Sequence, residues 1–232
     1  MNILPVLILA GGMGRRLLPI TNVTPKVMVP ILGKPFLAWK LEGLARQGAT
    51  EIFLLLGLGS EQVIDFLATY RTPLKIHVLT DGDLLLGTAG AIRKNLEYLP
   101  DVFILTFGDN LLDFNLEELS EVYSRENKSI MVCTTYKEPE QNFNVRLQGS
   151  FIEKYDKDNN LDCFLMDYGY SVFESNSFKD LELDQVIDLR IIIDQLIHTQ
   201  QLLALTTNKE YFEVGTIAGL ERTTSWLIQN TR

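Results

Sequence analysis

The run Val6-Leu-Ile-Leu9 is apolar at every position. It cannot be a strand with one wet face, and it predicts a strand buried on both sides, as in a parallel sheet. Three glycines follow at once, at 11, 12 and 14, so the backbone can bend sharply and approach a ligand with no Cβ in the way. Arg15 and Arg16 come next, and Lys26 stands behind the stiffening Pro25. Exposed backbone N–H groups with three cations, all at the end of a buried strand, are what a polyphosphate needs. A tight turn with a solvated arginine pair is the plainer reading of the same residues. A dinucleotide fingerprint is a poorer match, because Gly12-Met-Gly14-Arg-Arg-Leu17 lacks the third glycine that lets a helix pack on the strand. No Gly-x-x-x-x-Gly-Lys-Ser/Thr occurs in the chain.

Downstream, strand and helix patterns alternate. Gly33-Lys-Pro35 opens a helix whose apolar stripe is Leu37, Leu41, Leu44 and Ala45, ended by Gly48. Residues 51–56 read as a strand, Ser60 as the cap of a helix carrying Val63, Ile64 and Leu67, and 75–79 as a third strand. Gly87-Thr-Ala-Gly90 leads into a helix stopped by Pro100. A fourth strand, 102–107, ends in Gly108-Asp109-Asn110, and Asn115 with Glu118 resembles a capping box. This alternation predicts a doubly wound α/β fold, Rossmann-like, with a mostly parallel sheet and helices on both faces. In such sheets ligands sit outside the carboxyl ends of the strands. The glycine loop, the Gly87-Thr88 turn and Asp109 all fall there. Residues 129–136, 144–148, 150–155 and 164–173 read as strands of a mixed extension covering the same edge. A helix over 186–197, a strand over 202–205 and a helix after Gly215-Thr216 complete the chain. The expected organisation is one domain, with a first half over 1–127 and a ligand-covering half over 128–232.

Composition narrows the function classes. At 232 residues with 46% hydrophobic content, a sizeable core is possible. A net charge of −9 argues against a nucleic-acid partner, which needs a basic face. No apolar run approaches the roughly 18 residues of a membrane span, and the first apolar run lacks the basic flank of a signal peptide. Cys133 and Cys163 sit in apolar surroundings, as expected of reduced core thiols in a cytoplasmic protein.

These residues resemble the sugar-1-phosphate nucleotidylyltransferases, also called NDP-sugar pyrophosphorylases, in their short form without a β-helix tail. The resemblance is carried by LILAGGMGRRLLPIT…TPKVMVPILGKPFL, then LLLGTAGAI from Leu84 to Ile92, FGDN from Phe107 to Asn110 and EVGT from Glu213 to Thr216. It implies that NTP and a sugar 1-phosphate give an NDP-sugar and pyrophosphate, with no protein nucleophile. It also implies roles. Leu9, Ala10, Gly11, Gly12, Gly14 and Arg15 would meet the nucleotide, with Gly87 and Thr88 at base and ribose. Arg16, Lys26 and Asp109 would be catalytic, and Asp109 with Glu213 would hold Mg²⁺. Glu153, Lys154 and Gly169 would meet the sugar phosphate. The chain departs from the usual pattern at Arg15, Leu84, Tyr155 and Glu213. A glycosyltransferase using an NDP-sugar would want an Asp-x-Asp motif after the fourth strand, and Gly108-Asp109-Asn110-Leu111 does not supply one. A non-catalytic sugar-nucleotide sensor is a third reading, and a homo-oligomer, the base and the sugar are left open.

Overall fold

A computed structural model describes residues 3–12, 24–57, 59–82, 84–136, 143–156, 158 and 161–230. In chain order the strands are β1 Val6–Leu9, β2 Pro30–Ile31, β3 Lys34–Pro35, β4 Glu51–Leu56, β5 Lys75–Thr80, β6 Val102–Phe107, β7 Asn110–Leu111, β8 Ser129–Thr134, β9 Val145–Gln148, β10 Phe151–Tyr155, β11 Met166–Glu174, β12 Leu202–Thr207 and β13 Phe212–Glu213. The helices are α1 Phe36–Arg46, α2 Ser60–Thr69, α3 Gly87–Lys94, α4 Leu116–Glu126, α5 Arg190–His198 and α6 Ile217–Asn230. No helix among the described residues is long and apolar enough to cross a membrane.

Nine strands form one sheet in the order β5-β4-β1-β6-β11-β8-β12-β10-β9. β5, β4, β1 and β6 are parallel neighbours. β11 runs antiparallel between β6 and β8, and β12 is parallel to β8. The chain winds outward from β1 through β4 to β5, then returns to the other side of β1 with β6. That reversal opens a crevice at the carboxyl ends of β1 and β6, where Leu9 lies opposite Phe107.

Period-two alternation explains why both faces are dry. Val6 and Ile8 join one apolar cluster with Leu37, Leu41, Leu44, Val63 and Leu119, so α1, α2 and α4 cover that face. Leu7 joins the other with Ala89, Ile92, Ile192 and Ile193, from α3 and α5. Val6, Leu7 and Ile8 are completely buried, as a strand covered on both faces requires.

Several boundaries differ from the sequence reading. Gly59, in the left-handed region at φ 80°, caps α2, and Ser60 is its first residue. Asn115 does cap α4, its side chain accepting from the N–H groups of Glu117 and Glu118 at 3.1 and 3.2 Å. The helix expected over 186–197 begins only at Arg190, because the preceding residues serve another element. Ile187 donates its N–H to the Leu86 carbonyl at 2.8 Å and accepts from Ala89 and Gly90 at 2.9 and 3.2 Å. This segment therefore closes the orphan N–H groups of the first turn of α3. The second-half strands form the expected mixed extension, continuing the same sheet. Both cysteines are free and buried.

Candidate active site

The site starts from the way β1 ends. Ala10 donates its N–H to Leu55 of β4 at 2.8 Å, and Gly108 donates to Leu9 at 2.8 Å. The loops after β1 and β6 are thus pinned to neighbouring strand ends. A Cβ at Gly108 would fall 2.8 Å from Val27 and 3.0 Å from Ala10, so the two loops meet only because 108 has no side chain.

Above this junction lies a cavity of about 550 Å³. Toward β4 and β5 its wall is mostly apolar, built from Leu9, Leu55, Leu85, Leu86, Ala91 and Val186, with the Asp81 carboxylate among them. Toward β6 it is polar and tight, with Lys26, Gly108, Asp109 and Gly215. A flat heteroaromatic ring suits the first end, and anionic groups beside a cation suit the second.

Lys26 follows Pro25, whose φ of −54° and ψ of 144° aim a single 3₁₀ turn over Lys26–Met28. Its Nζ donates to Asp109 Oδ2 at 2.5 Å, with the lysine side chain 10% and the aspartate side chain 31% exposed. Glu213 comes from β13, which pairs with β7 so that Glu213 faces Asn110. Val214 donates its N–H to the Asp109 carbonyl at 2.8 Å, which carries the two acidic residues on adjoining backbone. The Glu213 carboxylate accepts from the Gly215 N–H at 2.8 Å and from the Thr216 hydroxyl at 3.2 Å. Burial, reinforced by Asp109 and Glu213, pushes the Tyr211 hydroxyl far above its ordinary pKa.

The geometry gathers Leu9, Ala10, Gly11, Gly12, Lys26, Gly87, Thr88 and Asp109 around one cavity. The Thr88 hydroxyl accepts the Leu189 N–H at 2.7 Å. Gly14, Arg15 and Arg16 lie outside the described residues. Gly169, at φ 97°, packs on Asn110, whose Nδ2 would lie 2.5 Å from a Cβ there. Glu153 and Lys154 are on the β9–β10 hairpin. Arg146 donates to Glu153 at 2.8 Å, and Lys154 donates to Asp162 at 2.7 Å.

Two residues of the site escaped the sequence reading. Asp81 follows β5, lines the cavity and is buried, with Oδ1 lacking a hydrogen-bond partner. Burial raises its carboxyl pKa, opposed by a hydrogen bond from its own backbone and by Lys94. Its signal was a carboxylate directly after a third parallel strand. Lys40, fully buried beneath Asp109, was masked by the apolar stripe around it.

A doubly wound sheet with a cavity at its switch point defines an α/β protein of the Rossmann-like class. The sequence profile of the nucleotidyl transferase family matches residues 5–216, and the chain belongs to that family. It is 28% identical over 217 residues to the bifunctional protein GlmU of Methanocaldococcus jannaschii, an alignment covering 90% of this chain and 50% of that one. It is 34% identical over 113 residues to the D-glycero-alpha-D-manno-heptose 1-phosphate guanylyltransferase of Campylobacter jejuni, covering 49% and 51%. These alignments span about half the length of either relative. The crystal structure of HddC from Yersinia pseudotuberculosis has the same fold, with a TM-score of 0.82 at 23% identity over 97% of this chain and 99% of that one.

Proposed function

We propose that this chain transfers a nucleotidyl group from an NTP to a sugar 1-phosphate, releasing pyrophosphate. The observation that carries this reading is the Lys26–Asp109 pair at one end of a cavity whose other lining is mostly apolar. An NTP laid along that cavity puts its base against Leu85 and Leu86 and its phosphates at Lys26. A phosphate oxygen of the sugar attacks the α-phosphorus, and pyrophosphate leaves from the opposite side. Two anions must meet, so the protein's task is alignment and charge neutralisation. Lys26 holds the α-phosphate and the incoming phosphate. Gly11, Gly12 and Gly14 supply backbone donors, Arg15 flanks them, and Arg16 grips the departing pyrophosphate. Leu9, Ala10, Gly87 and Thr88 frame ribose and base.

No cluster of three or more metal-ligating side chains occurs among the described residues. Mg²⁺ commonly keeps its waters and takes one or two carboxylates together with substrate phosphates. Asp109 and Glu213, on adjoining backbone, fit that donor set. When bound, the cation supplies positive charge to the phosphate oxygens. The sugar side is assigned to Gly169, with Glu153 and Lys154 reaching it only by leaving Arg146 and Asp162. The setting is taken as cytoplasmic, in a single domain whose two halves divide near residue 127.

A panel of five NTPs against several sugar 1-phosphates, read by pyrophosphate release, tests the reading. Release with one pair supports it. Tight binding of an NDP-sugar without turnover under any pair overturns it in favour of a sensor.

A further inference from the structure

Lys40 sits on the buried side of α1, in phase with Leu37, Leu41 and Leu44. An ammonium there forfeits its hydration, and a leucine or methionine would fill the space at lower cost. Its three donors are all spent on the β6–β7 turn. Lys40 Nζ donates to Asn110 Oδ1 at 2.8 Å, to the Asn110 carbonyl at 3.0 Å and to the Thr106 hydroxyl at 3.3 Å. Thr106 in turn donates to Asn110 Oδ1 at 3.2 Å. Burial lowers the Lys40 pKa from 10.5 to about 7, and the charge of Asp109 opposes that fall.

Asn110 is where the parts of the site meet. It directly follows Asp109, it faces Glu213 across β7 and β13, and Gly169 packs on its amide. It is completely buried. Whatever fixes Asn110 therefore fixes the backbone that carries both carboxylates. We propose that Lys40 is a positioning residue for the reaction, clamping Asn110 from beneath so that Asp109 and Glu213 keep the separation needed to share a divalent cation with the nucleotide phosphates. Perturbed, buried charges held against a cleft are a mark of functional sites, whereas stability alone does not call for one. The proposal rests on the nucleotidyl-transfer reading, and its test is built to fail separately from it.

The test compares Lys40→Met, which keeps length and suits the apolar stripe, with Lys40→Gln, which keeps a hydrogen-bond donor without charge. The measurements are pyrophosphate release and, independently, calorimetric binding of Mn²⁺ with a non-hydrolysable NTP. In Lys40→Met, kcat should fall and the metal half-saturation should rise, each by about tenfold, the usual scale for losing a partner behind a metal ligand. KM for the NTP should move by less than about threefold, and Tm should fall because Asn110 Oδ1 and the Asn110 carbonyl lose a buried donor, a loss that Lys40→Gln makes good in part. Lys40→Gln should recover part of both losses. If Lys40→Met does not fold, Lys40→Gln alone carries the comparison with the wild type. A folded variant with kcat and Mn²⁺ affinity within twofold of wild type overturns the proposal, whatever its Tm. If the wild type releases no pyrophosphate from any substrate pair, the transferase reading fails, and the Mn²⁺ titration still decides on Lys40.

Discussion

The end of β6 and the β9–β10 hairpin both present acidic residues to lysines, yet they are different environments. At the first, Asp109 meets Lys26 across 83 residues of sequence, with the lysine side chain only 10% exposed. At the second, Glu153 and Arg146 face each other across one hairpin with side chains 40% and 33% exposed. Asp162 holds both Lys154 and Arg146 there. Parallel strands bring loops from distant sequence to one edge, so charges placed there converge and lose water together. A hairpin brings sequence neighbours together at a wet rim, where an ion pair is worth about 0–1 kcal/mol. The chemistry should therefore be concentrated at the first region, with the second modulating the sugar side.

The sharpest way to break that contrast is Asp109→Asn. Turnover should fall by about 10³, the upper range for losing one preorganised electrostatic group, measured as pyrophosphate release at saturating substrates. Next comes the arginine pair of the glycine loop. Arg16→Ala should cost about 10² in turnover, within the span for removing one donor to developing charge, and Arg15→Ala much less. Equal losses would mean the wrong arginine carries the pyrophosphate. Third, Glu213→Gln should reduce activity by about tenfold or more, with Glu213→Asp retaining part of it and gaining more from added Mg²⁺. Full activity of Glu213→Gln at low Mg²⁺ would remove Glu213 from the metal site. The smallest effect belongs to the hairpin. Lys154→Ala should raise KM for the sugar 1-phosphate by about threefold, the scale of a partly exposed ion pair, and leave NTP affinity unchanged. A large rise would place the hairpin inside the reaction centre and erase the distinction between the two regions.

Much of the first half was legible because its signals are local. Gly48 and the glycines after β1 punctuate the chain, and a four-residue run apolar on both parities can only be buried on both faces. Pro100 misled, since α3 ends at Lys94 and a separate 3₁₀ turn spans Leu96–Tyr98. Asp109 was legible for the same reason, as a carboxylate at a strand end. The insertion of β11 between β6 and β8 was not, since nothing in Met166–Glu174 names its partners. Val186 and Ile187 read as helix because they are apolar, but Val186 is 78% exposed and Ile187 contributes backbone to α3. Lys40 carried a signal that the stripe concealed, namely a lysine three residues after Leu37 and four before Leu44, in the buried phase of a helix.

The interleaving of β11 has a consequence for synthesis. β6 emerges from the ribosome early, but the strand that covers its open side ends at Glu174, which pairs with Val102. Until then β6 and β8 each offer an unsatisfied row of N–H and C=O groups to any passing chain. Nascent or truncated forms ending before Met166 should therefore depend on holdase chaperones and aggregate when these are scarce, and release of the completed strand should be the event that commits the chain to its fold.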